Sequence, residues 1–222
     1  MRKKALLLVP VAGLLMLGTL GSGAAQSEGA GYGVYRADLA PVADNPSTAE
    51  GGAASGVAYL ARVGDRLTGV IYATGLSPDL PHAMHIHGRE AAAAECPGVD
   101  RDANGDGLVD TLEGLVDYGP IQVSLTTTGG TGGNLLPDGL DLSRYAVADQ
   151  LGFLTYSRTF SIPLSVAERL GDFHVVIHGA DLNGNHVYDG PDSSLSAVIG
   201  APVPLEAELP VVCGPLQTIV EG

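Results

Sequence analysis

Val57-Ala-Tyr-Leu-Ala-Arg62-Val-Gly64-Asp65-Arg66-Leu-Thr-Gly-Val-Ile-Tyr-Ala-Thr74 places two runs rich in β-branched and aromatic residues on either side of one Gly-Asp pair. Gly supplies the positive φ and Asp the short polar side chain that a tight reversal needs, so Val57 to Arg62 and Arg66 to Thr74 read as a β-hairpin. Outward from it, Ala83 to His87, Ile121 to Leu125, Leu154 to Ile162, Phe173 to His178 and Glu206 to Val212 repeat that composition between clusters of Gly, Pro, Asp and Asn. Short strands at this rhythm predict an all-β fold, an antiparallel Greek-key sandwich or barrel. Only Leu164 to Leu170, between Pro163 and Gly171, reads as a short helix. Two stretches break the rhythm as long loop insertions, the acidic Gly88 to Gly119 with Ala91 to Ala94 near its start, and the Gly/Thr-rich Thr126 to Tyr145. Loops of that length in a compact domain call for a function.

The chain has 222 residues, 45% of them hydrophobic, which suits one domain with a buried core. Arg2, Lys3 and Lys4, the apolar run Ala5 to Leu20 and the small residues up to Ala25 have the order of a secretory signal peptide, residues 1–25. An uncleaved anchor is the competing reading, although no basic stop-transfer flank follows. Residues 26–222 then form a single β-sandwich domain, with an insertion at about 88–119, in a secreted, extracellular or cell-envelope protein without a membrane span after cleavage. Loss of the three cations takes the net charge from −14 to −17 and leaves Arg as the one strongly basic residue type. Nucleic acid and anionic membranes are therefore poor partners, since both favour Lys and Arg. Metal ions are the expected partners, and the sequence names no protein partner. Export also places Cys96 and Cys213, the two cysteines of the chain, where a disulfide between them is expected.

Four of the six histidines lie in two of the predicted strands or beside them. Alternate residues of a strand face one side, so His85 and His87 converge while Ile86 turns away, and His178 on an adjacent strand adds a third imidazole. Neutral imidazoles suit Cu, Zn, Fe or Ni. The bland alternative is a set of hydrogen-bonded or surface histidines. His82 falls on the other face and reads as structural; His174 shares the face of His178 but lies about 13 Å along the strand. His186 sits in an acidic loop and receives no role.

The segment Gly75-Leu-Ser-Pro-Asp-Leu-Pro-His-Ala-Met-His-Ile-His87 resembles the Gly-Leu-x-Pro-Gly-x-His-Gly-Phe-His-Val-His segment of Cu/Zn superoxide dismutases. Cys96 follows at the spacing of that family's disulfide cysteine, Val-Val-Ile-His178 is similar to its last copper-ligand strand, and Val-Val-Cys213-Gly to the other half of its disulfide. The resemblance implies a superoxide dismutase-like sandwich, His85, His87 and His178 as copper ligands, and dismutation of superoxide as an activity. Two departures follow. The stretch from Cys96 to Tyr118 contains no His, so zinc at the family's second site is not expected, and Pro210 stands where the family places its active-site Arg. Tyr35-Arg-Ala-Asp-Leu39, Ala-Met-His-Ile-His-Gly88 and Phe-His-Val-Val-Ile-His178 are also similar to chordin-type (CHRD) domains, secreted β-modules that tolerate those missing residues.

Asp102-Ala-Asn104-Gly-Asp106-Gly107-Leu108-Val-Asp110-Thr-Leu-Glu113 matches the twelve-residue calcium loop at each specified position. Oxygens of Asp102, Asn104, Asp106, Asp110 and Glu113 with the Leu108 carbonyl would surround Ca²⁺. Pro97 and Gly98 exclude the usual incoming helix, which leaves an isolated loop or else an ordinary solvated turn. Asp181-Leu-Asn183-Gly-Asn185-His-Val187-Tyr-Asp189-Gly-Pro-Asp192 repeats the pattern, with His186 in place of the glycine and Asp192 in place of the bidentate Glu. It reads as a second calcium loop through Asp181, Asn183, Asn185, the Val187 carbonyl, Asp189 and Asp192. The predicted function is a secreted copper-binding, calcium-stabilised module, with an exported copper-dependent superoxide dismutase as the alternative. Hydrolysis ranks last, because no Gly-x-Ser-x-Gly elbow occurs and Ser143 and Ser165 have no evident base.

Overall fold

The computed structural model describes residues 31–89 and 95–222; residues 1–25, which the sequence reading takes as a signal peptide, and Ala91 to Ala94 lie outside the described residues. Among the described residues the strands are β1 (Tyr32–Pro41), β2 (Ser55–Val63), β3 (Arg66–Thr74), β4 (Met84–His87), β5 (Ile121–Ser124), β6 (Leu154–Ser161), β7 (His174–His178), β8 (Pro210–Pro215) and β9 (Gln217–Glu221). Short helices α1 (Thr111–Tyr118), α2 (Leu164–Ala167), α3 (Ser194–Ile199) and α4 (Leu205–Glu208) sit in the connections.

The hairpin forms as its sequence predicts. β2 and β3 pair antiparallel from Ser55 opposite Thr74 to Val63 opposite Arg66, around Gly64 at φ 57°. Alternation buries Ala58 and Leu60 on β2 and Leu67 and Ile71 on β3. Each large apolar side chain so buried contributes about 1.5–3 kcal/mol relative to exposure.

All strand pairings are antiparallel, in the order β5-β4-β7-β8-β1-β2-β3-β6, with β9 also beside β1. The late strands β8 and β9 return beside the first strand of the β1-β2-β3 meander, which is Greek-key order. β1 joins two layers. Tyr32 to Leu39 pair with β2, whereas Ala40 and Pro41 pair with Cys213 and Val212 of β8. The sheet curls at that junction, so Tyr35, Leu60 and Ile71 of one layer share a core with Met84, Ile86, Val175 and Ile177 of the other. The all-β expectation therefore holds.

The reading of Leu164 to Leu170 as the one helix falls short, since α1, α3 and α4 are helices as well, and two of the predicted elements are redrawn. The predicted strand Glu206 to Val212 starts only at Pro210, because Pro204 opens α4 at φ −59° and the Glu206 and Glu208 carboxylates turn to nearby backbone amides. The predicted helix 164–170 ends at Ala167 and is followed by a separate 3₁₀ turn, Leu170–Asp172. Cys96 and Cys213 form a disulfide across 117 positions. It ties the first long insertion to β8, where Cys213 lies opposite Val176 of β7.

Candidate metal centre

Strand alternation sends Met84 and Ile86 of β4, and Val175 and Ile177 of β7, into the main core. His85 and His87 therefore share the opposite face with His174, Val176 and His178, and the two long insertions cover that face. β4 and β7 are neighbours, with His85 opposite Val176 and His87 opposite His174. His178 lies one step past the last pair and donates its backbone N–H to the Ala83 carbonyl at 2.8 Å. The rings of His85, His87 and His178 approach with centroids 5.4, 5.1 and 5.7 Å apart. One ligand nitrogen from each lies within 4.8 Å of the others, and no other His, Cys, Asp or Glu group among the described residues gathers so closely.

Each ring is held through its second nitrogen. His87 Nδ1 donates to the Gly119 carbonyl at 2.8 Å, and His178 Nδ1 donates to the Glu208 carbonyl at 2.7 Å. His85 Nε2 faces the Gly139 carbonyl at 3.1 Å and the Tyr145 hydroxyl at 3.0 Å. A carbonyl only accepts, so the proton resides on those nitrogens and the lone pairs on His85 Nδ1, His87 Nε2 and His178 Nε2. All three of these atoms are buried and have no hydrogen-bond partner. A buried acceptor left unpaired costs about 1–3 kcal/mol, so three that face one another fit a cation with nitrogen preference. Burial holds the rings neutral. It takes His87 down to about 3 and His178 down to about 4, and together with its imidazole neighbours it holds His85 well below the usual value.

The groups that orient His85 and His87 come from the insertions, and the Glu208 carbonyl that orients His178 comes from α4. Gly119 ends α1 at φ 76°, where an added Cβ would meet the Gly88 carbonyl at 2.8 Å, so only glycine presents that carbonyl to His87. Gly139 and Tyr145 belong to the Thr126 to Tyr145 stretch. Tyr118 of α1 sets its ring against His87 with centroids 4.6 Å apart and donates its hydroxyl to the Thr111 carbonyl. The three carbonyl partners carry little sequence signal, since every residue has a backbone carbonyl. Glu208 has one oxygen on the Thr111 amide, while Oε1 lacks a partner; burial raises its pKa to about 7.

His82 lies apart from the trio, its ring between the Ser77 and His178 carbonyls. His174 is buried with both ring nitrogens unpartnered, outside the three-imidazole group.

The acidic loops follow another principle. Asp102 accepts the amides of Gly105, Asp106 and Gly107, and Asp106 accepts that of Leu108. Glu113 accepts Ala103 and Asn104 through Oε1 and Asp110 through Oε2, while Asp110 caps α1 in return. The second loop repeats this closely. Asp181 accepts Gly184, Asn185 and His186, the last at φ 63° where the first loop has Gly107 at 88°. Its twelfth position, Asp192, lies exposed on a bridge to Pro204. The carboxylate that receives the amides of positions 2 and 9, Leu182 and Asp189, is instead Glu206 of α4. Sequence reading along the loop missed Glu206 because it enters from outside the twelve residues.

No family model and no curated protein sequence matches this chain.

Proposed function

We propose that the protein is an exported metal-binding β-module in which His85, His87 and His178 hold one transition-metal ion, copper in this reading. The observation that carries it is the set of three buried imidazole lone pairs that face one another without a partner. Three neutral nitrogens favour copper among available cations. Copper bound there would supply one-electron redox chemistry. The chain's own residues fix the ring tautomers through Gly119, Gly139 and Glu208, surround the rings with a largely apolar wall, and present the Glu208 carboxyl as a nearby acceptor. The Cys96–Cys213 disulfide and the signal-like N-terminus support an oxidising compartment.

The likeness to Cu/Zn superoxide dismutases and CHRD domains agrees with this reading and leaves binding, not dismutation, as the primary role. Pro210 stands in place of an anion-guiding Arg, and no cationic side chain lines the cavity over the trio. Ca²⁺ at Asp102 to Glu113 is proposed as a structural ion, supported by the complete twelve-residue pattern and by α1, which leaves the loop as an exiting helix does.

Copper titration followed by EPR tests the proposal. The expected result is a one-equivalent Cu(II) signal with nitrogen hyperfine structure and no superoxide consumption above free protein. A protein that takes up no nitrogen-coordinated copper would end the metal reading, and rapid superoxide consumption would restore the dismutase.

A further inference from the structure

The trio forms part of the wall of a cavity of about 190 Å³. Most of the remaining wall is apolar, and its large side chains include Leu112 and Leu115 of α1, Leu135 and Leu140 of the second insertion, and Leu195 and Val198 of α3. Leu140 and Ala207 continue into a second apolar cleft with Leu136 and Pro202, and both Leu136 and Val198 reach solvent. The apolar wall of the cavity thus extends from the imidazoles to the exposed Val198. A structural metal site needs no such space.

One polar side chain other than the imidazoles and Thr111 lines the cavity. Glu208 is 2% exposed, and its Oε1 has no hydrogen-bond partner. The Ser193 hydroxyl stands beside that carboxyl. Neither Lys nor Arg contributes to the lining. An anion would enter along hydrocarbon toward a carboxyl group, which costs desolvation without a compensating cation on the wall.

We infer that this cavity is a binding site for a small neutral molecule with an apolar body and one nitrogen or oxygen lone-pair donor, the donor directed at the metal that the three imidazoles would hold. The size follows from the volume, since a cavity of roughly 150 Å³ lined by similar side chains admits a benzene ring. A substituted six-membered ring fits 190 Å³. The donor half of the inference rests on the metal reading above, whereas the apolar half rests on the cavity alone.

The test uses 4-methylpyridine as the neutral probe and azide as the anionic one. On copper-loaded protein, 4-methylpyridine changes the Cu(II) EPR signal at a concentration at least tenfold below that of azide. Leu195→Trp, which fills the cavity, raises the concentration of 4-methylpyridine needed by tenfold or more and leaves the ligand-free copper signal unchanged. Leu140→Phe, from a different segment, repeats the experiment should the first variant not fold. Azide binding as tightly as the pyridine, or filled variants binding like the wild type, would overturn the inference and leave the metal reading intact. If copper gives no nitrogen-coordinated signal, the metal reading fails, and toluene decides the cavity in metal-free protein. A rise in thermal midpoint that Leu195→Trp removes upholds the apolar site; no rise refutes it.

Discussion

The imidazole trio and the acidic loops both present clustered metal-ligand types, yet they leave those groups in opposite states. At the trio each ring spends one nitrogen on a fixed acceptor and aims the other, unpaired, at its neighbours. In the loops the Asp102, Asp106, Glu113 and Asp181 carboxylates already accept backbone amides of their own turn. A rigid strand pair can hold unsatisfied lone pairs because the sandwich core opposes their escape. A loop folds onto its own donors. The trio should therefore depend on an ion for relief, and the loops should be self-supporting turns whose ion adds to an existing structure.

The largest consequence is acid sensitivity of the metal-free protein. His87 is held down to about 3, His174 and His178 to about 4, and His85 well below the ordinary value, all chiefly by burial. The unfolded chain protonates the same rings near pH 6.5, so their contribution is complete above that pH and declines as pH falls toward 3–4. Each ring removes about 1.4 kcal/mol per pH unit in that window. Glu208, raised to about 7, acts with the opposite sign and returns part of the loss as it protonates in the fold. The net expectation is a fall on the order of 5 kcal/mol between pH 6.5 and 5, read from urea midpoints. A bound Cu²⁺ should move this decline to lower pH, while Ca²⁺ should not. An acid profile indifferent to Cu²⁺ would erase the distinction between the two regions.

Removal of a trio member comes next. His178→Ala should weaken copper binding at least about a thousandfold, about 4 kcal/mol, by isothermal titration, because two nitrogens on one strand then remain. The corresponding change in the first loop, Glu113→Ala, should remove any calcium-dependent rise in melting temperature and cost about 1–2 kcal/mol without calcium through the lost capping box. A copper affinity unchanged by His178→Ala would place the ion elsewhere.

The two loops can be set against each other in the same way. Glu206→Ala leaves the amides of Leu182 and Asp189 without their carboxylate and should destabilise by about 2–3 kcal/mol in denaturant unfolding. Asp192→Ala touches an exposed side chain and should stay within about 0.5 kcal/mol. Equal effects would restore Asp192 to the position that the sequence pattern gives it.

Legibility followed the same division. The hairpin at Gly64-Asp65, the parity of His85 and His87, the joining of His178 on a neighbouring strand and the Cys96–Cys213 link were all readable, because side-chain type and a period of two encode them. β1 and β9 were not read as strands, since their pairing depends on distant partners rather than on a local turn. The shell around the trio was silent for a stricter reason. Gly119, Gly139 and Glu208 act there through carbonyl oxygens, which have no sequence signature, and Glu206 acts from fourteen positions past the end of the pattern it completes.

The smallest effect probes that silent shell directly. His85 Nε2 faces both the Gly139 carbonyl at 3.1 Å and the Tyr145 hydroxyl at 3.0 Å, and the hydroxyl in turn reaches the Asp138 carbonyl at 3.0 Å. In Tyr145→Phe the carbonyl remains, so the ring keeps its proton on Nε2 and its lone pair on Nδ1. What is lost is one of two groups that fix the ring plane. Copper affinity should fall only about three- to tenfold, below the roughly 10–100-fold that loss of an outer partner of a ligating imidazole usually costs, because the Gly139 carbonyl remains. The Cu(II) signal should keep its nitrogen count. A loss of a hundredfold or more would mean that the hydroxyl, not the backbone, sets the tautomer, and the claim that strand-held rings are oriented by sequence-silent carbonyls would fail at His85 first.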